Sequence, residues 1–143
     1  MVPRLGGIGE RLRRISFWLR HKTETDTVFQ IIDVLIALLT IGFGLFGLIS
    51  PRYTAKVLDM APTDTTMGLS ELRASAGGLF VAMGVVCIWT GAPWAYAMLG
   101  VAYAGAATGR LVSIVIDKPP MPKAFYWFLL EAVPSAWLLL TVH

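Results

Sequence analysis

The chain has 143 residues, of which 56% are apolar and only 15% charged, and its mean hydropathy is +0.67. That leaves too little polar surface to cover a water-soluble core of this size, so lipid is the expected solvent. Cys87 is the single cysteine, which excludes an internal disulfide and a cysteine-based metal site. The net charge of +3 belongs to a local basic arm and is not spread along the chain.

The first element is that arm, residues 1–26. Arg4, Arg11, Arg13, Arg14, Arg20 and Lys22 all precede the first long apolar run. Ile8, Leu12, Ile15 and Leu19 recur at spacings of four, three and four, an apolar stripe on a helix. Arg11, Arg14 and Lys22 surround the stripe and Trp18 lies near it. The pattern predicts a basic amphipathic helix resting on an anionic membrane surface. Two other readings stay open: the arginines serve only as a topology signal, or the arm docks on a protein partner. Arg13-Arg14 followed by Ser16-Phe17 also resembles a twin-arginine signal. The apolar run behind it is longer than a signal h-region and lacks a small-x-small site, so a retained anchor is expected.

Residues 27–143 form the second unit. One helical crossing takes about 20 apolar residues. Four stretches qualify, about 28–49, 72–89, 94–116 and 124–142. They lack strict alternation and are too long for barrel strands. The link at 50–71 is long and polar, and Tyr53, Val57 and Met60 recur there at helical spacing, as in a short interfacial helix. Thr90-Gly91-Ala92-Pro93 is a tight turn, and Lys118-Pro119-Pro120-Met121-Pro122 is a stiff one. The expected fold is an all-α integral membrane protein, an antiparallel four-helix transmembrane bundle with an N-terminal basic amphipathic interfacial helix.

Charge bias suits a cytoplasmic N-terminus, with both termini inside. The six other basic residues, Arg52, Lys56, Arg73, Arg110, Lys118 and Lys123, sit toward the opposite helix ends and nearly balance the bias.

Two charges lie deep in apolar runs. Arg110 is seven residues before Asp117 and Glu131 seven after Ala124, each roughly 10 Å from the same turn at 1.5 Å per residue. An Arg at a helix centre costs about 2.5–3.5 kcal/mol on insertion scales, so such residues face inward and pair. An interhelical Arg110–Glu131 ion pair is therefore expected. Around it, Tyr103, Ser113 and Asp117 share the face of Arg110, while Trp127 and Ser135 share that of Glu131. Glu71 and Arg73 open the second span on the same side, completing an intramembrane polar cluster. Pro134 denies a donor to the Leu130 carbonyl nearby. Two readings compete: the charges neutralise one another and fix register, or they bind a polar head group or pass a proton. Asp33, near the other end of the first span, is read as an interface residue without a special role.

Small residues mark close helix approach. Ala74, Gly78 and Ala82 form one ladder, and Gly100, Ala104, Gly105 and Gly109 form others on the third span. Gly42, Gly44 and Gly47 crowd the first. Internal packing is expected to use most of these, and a ladder left facing outward would take a partner helix.

Catalytic chemistry is not evident. His21 and His143 lie far from any ligand set, and Gly6-Gly7-Ile8-Gly9 precedes no strand. No Ser-His-Asp or Cys-His set can be assembled. Neither a metal nor a cofactor is expected, and a non-enzymatic role is the expectation.

The run Glu71-Leu72-Arg73-Ala74-Ser75-Ala76-Gly77-Gly78, followed by Gly109-Arg110, Asp117 and Glu131, resembles the bacterial domain-of-unknown-function family 4345, small four-helix inner-membrane proteins. The resemblance covers roughly residue 28 to the C-terminus and leaves out the basic arm. It implies the architecture and a bacterial inner-membrane location, and no activity. It also directs attention to Arg73, Arg110, Asp117 and Glu131. The expected role is an accessory or scaffold subunit packing against a larger membrane complex, with lipids and other membrane subunits as partners and no nucleic acid. The alternative is a binding or transport module for a lipid, quinone or small amphiphile.

Overall fold

The computed structural model describes residues 6–61 and 64–141, with side chains from residue 26 onward. The side chains of Arg11, Arg14, Trp18 and Lys22 therefore lie outside the described residues, as does the apolar stripe beside them. The chain divides into two units, Met1–Ile32 and Asp33–His143. The first is helical from Gly6 onward, with no break in helical backbone at 26–27.

Every described element is helical. Helix α1 spans Gly6–Ile49 and α2 spans Pro51–Val57, beginning on a proline whose missing N–H is no loss in a first turn. Then come α3 (Met67–Glu71), a π-helical stretch (Leu72–Leu79) and α4 (Phe80–Thr90), which follow one another without interruption. Gly91 ends α4 in the left-handed conformation at φ 59°, and Pro93 starts α5 (Pro93–Ile116). Pro119 and Pro120 follow α5, and α6 spans Met121–Thr141 with Pro122 harmless in its first turn.

Among the described residues, four helices are long and apolar enough to cross a membrane: Asp26–Ile49, Met67–Thr90, Pro93–Ile116 and Met121–Thr141. The second begins about a turn earlier than hydropathy places it, because Met67-Gly68-Leu69-Ser70 continues the helix on its polar side. A short helix is present in that link as α2, though Met60 falls beyond its end.

Large apolar side chains face outward along these segments: Leu39 is 61% exposed, Val115 73% and Leu140 78%. In water such a surface would aggregate, whereas acyl chains are as apolar as these residues. The core is correspondingly slim, with Ala37, Thr40, Cys87, Leu99 and Leu138 almost wholly buried.

Glycines set the closest approach in the Asp33–His143 unit. A Cβ on Gly77 would stand 2.6 Å from the Leu48 backbone nitrogen, and one on Gly47 would stand 2.7 Å from the Ala76 carbonyl oxygen. Gly84 faces α1 in the same way, 2.8 Å from the Ala37 carbonyl oxygen. The second span thus meets α1 through Gly77 and Gly84, not through the ladder that i,i+4 spacing picks out. Ala74 and Ala82 are exposed, and a Cβ on Gly78 would touch only the Arg73 carbonyl at 3.5 Å. Gly77 and Gly84 are seven residues apart, about two turns, and so share a face distinct from that of Gly78.

On the third span, Gly100 faces Leu138 and Leu139 of α6, 3.0–3.1 Å from an added Cβ, and Ala104 is half-buried. A Cβ on Gly105 or Gly109 would meet nothing within 4 Å. Ser135 of α6 also donates to the Gly100 carbonyl at 3.1 Å. Thr40 donates to the Ile36 carbonyl at 2.8 Å and lies 2.7 Å from the Tyr103 hydroxyl. Since the single threonine proton is used on Ile36, Tyr103 donates to Thr40. Both groups sit among apolar neighbours and neither is left unsatisfied.

Candidate functional site

Arg110 stands on α5 and Glu131 on α6, and the two helices bring them face to face. The guanidinium donates from Nε to Oε2 at 2.8 Å and from Nη2 to Oε1 at 2.6 Å. This two-pronged geometry matches the planar fork of arginine to both carboxylate oxygens. The side chains are 30% and 15% exposed, so they form a wall and not a sealed core. Of the five guanidinium N–H groups, two are spent on Glu131 and three remain.

The wall belongs to a cleft of about 370 Å³ that is otherwise apolar and aromatic. Phe43 and Phe46 come from α1, Val57 from α2, Phe80 from α4, and Trp127 and Leu130 from α6. Tyr103 lines it too, edge-on to Phe80 at 6.1 Å between ring centres. Small-molecule sites commonly combine an apolar surface with a few convergent polar groups. Here those groups are the guanidinium and the carboxylate.

The polar residues that the sequence grouped together are divided in space. Tyr103, Arg110, Trp127 and Glu131 share the cleft. Asp117 caps the far end of α5 and is exposed, and Ser113, a turn inside it, does not line the cleft. Glu71 is exposed, and its backbone carbonyl accepts a bond from the Ser75 hydroxyl. Arg73 lines a different cleft, where its Nη1 donates to the Leu48 carbonyl. Glu71 and Arg73 are two residues apart on one helix and therefore point to nearly opposite sides of it.

Two polar contacts have no counterpart in the sequence pattern. Trp137 donates from Nε1 to Asp33 Oδ1 at 2.9 Å, giving the carboxylate of α1 a neighbour on α6. Their 104-residue separation leaves no periodic signal, although an acidic group in an apolar span called for a donor. Lys123, at the start of α6, pairs with Asp59 at 2.6 Å, and Asp59 holds a left-handed φ of 56°. This pair is 40% and 66% exposed and contributes at most about 1 kcal/mol.

Among the described residues, no group of three His, Cys, Asp or Glu side chains is placed to hold a metal ion. No curated protein and no solved structure matches the chain. The family model described as Domain of unknown function (DUF4345) matches residues 28–142, a range that takes in the aromatic cleft and both charged residues of its wall. The chain belongs to that family.

Proposed function

We propose that this chain is a non-catalytic, multi-pass protein of the bacterial inner membrane that binds a small amphiphile, a lipid or a quinone, in the aromatic cleft. In this reading the bundle is antiparallel, both termini are cytoplasmic and the basic arm rests on the inner leaflet. One observation carries the reading: an apolar cleft of about 370 Å³ has a paired guanidinium and carboxylate in its wall. At 30% and 15% exposure the pair escapes part of the desolvation penalty that full enclosure would impose. Left at the rim of a cleft, it keeps N–H donors for a ligand's carbonyl or phosphoryl oxygen while adding no net charge. The aromatic rings supply the apolar contact for the rest of the molecule.

The accessory-subunit reading has its own observation. Gly105 and Gly109, one turn apart on α5, meet nothing within 4 Å of an added Cβ, leaving a shallow strip of the kind a partner helix fills.

Native mass spectrometry of the protein extracted in mild detergent separates the two. The first reading predicts a small amphiphile retained on the wild type and absent from a Val57→Phe/Leu130→Phe double variant that narrows the cleft. A stoichiometric polypeptide on a bundle without small ligand would favour the accessory role instead.

A further inference from the structure

A second cleft, of about 700 Å³, lies where α1 gives way to α2 and both approach the start of the second span. Arg52 lines it from the first turn of α2 and Arg73 from the π-helical stretch, together with the hydroxyl residues Ser50, Thr66 and Ser70. Among the described residues, the ion pairs are Arg110–Glu131 and Asp59–Lys123, so neither arginine here is neutralised by one. Arg73 spends one donor on the Leu48 carbonyl, which fixes its guanidinium beside the end of α1 and leaves four N–H groups. The depth is informative as well. One span ends at Ile49 and the next begins at Met67, so the cleft opens at the end of the spans, where head groups meet water.

Two like charges brought to one cleft repel each other, and an anion between them removes that cost while accepting several charge-assisted bonds. Arginine forks and hydroxyls are the donors that suit tetrahedral oxyanions. We infer that this cleft binds a phosphate-type group through Arg52 and Arg73. The chemistry is shared by two sources, a phospholipid head group in the adjoining leaflet and free phosphate from solution. The inference stands apart from the aromatic cleft, whose wall is electrically neutral.

The test uses the full chain in dodecyl maltoside, a detergent without phosphate, titrated calorimetrically with inorganic phosphate and separately with dihexanoyl phosphatidylglycerol. Saturable binding of at least one is expected. Binding of the phospholipid alone identifies a head-group site, and binding of both identifies a general phosphate site. Arg52→Gln should weaken the interaction about tenfold or more, the loss of one charged hydrogen bond. Arg73→Gln should do the same, but Arg73 also holds Leu48, so substitution of the exposed Arg52 separates binding from packing more cleanly. Absence of binding by both probes, or equal binding by wild type and Arg52→Gln, would overturn the inference.

Discussion

Glu131→Ala is expected to destabilise the bundle by about 3 kcal/mol, and Arg110→Ala by a similar amount. Removing one member of a buried pair costs about 3–5 kcal/mol, because the survivor keeps its desolvation penalty and loses its partner. The lower end applies here, since the side chains are 30% and 15% exposed at the cleft wall. The double variant Arg110→Met/Glu131→Leu should return to within about 1 kcal/mol of wild type, as no charge is then stranded. Reversing both charges together should recover most of the loss that each reversal causes alone. Equilibrium unfolding in mixed micelles measures all of these. If the single and double variants lose stability additively, the two charges are not coupled.

The second large effect concerns backbone proximity. Gly77→Ala should cost about 2–3 kcal/mol, and Gly77→Val should prevent close packing of α1 on the second span. The new Cβ would stand 2.6 Å from a backbone nitrogen, and backbone cannot rotate aside as a side-chain end can. Gly105→Ala and Gly109→Ala meet open space and should be neutral or stabilising by up to about 1 kcal/mol through helix propensity. Thermal melts of the three alanine variants in one detergent give the comparison. Equal losses at all three positions would mean that the helices do not meet as described.

These two cases also show what could be read from the residues alone. The four spans were legible because runs of about 20 apolar residues leave little else for the chain to be. The Arg110–Glu131 contact was legible because a short proline turn equalises the depth of residues on either side of it. Packing phase was not. Ala74, Gly78 and Ala82 form a ladder by spacing, yet Gly77 and Gly84 on another face make the contacts, and spacing alone does not say which face meets α1. Arg73, too, lies outside the aromatic cleft and at the second one. The cleft itself depends on where α2 lies, and no periodicity encodes the placement of a seven-residue helix. The Asp33–Trp137 contact joins the first and last spans and needed their arrangement in space.

A diazirine-bearing fatty amphiphile, photolysed on the purified protein and mapped by peptide mass spectrometry, probes the cleft most directly. Labelling is expected at Phe43, Phe80, Trp127 and Leu130, and an excess of unlabelled amphiphile should suppress it. Labelling scattered over Leu39, Val115 and Leu140, with no competition, would mean that the protein merely sits in lipid and holds no ligand beside its charged pair.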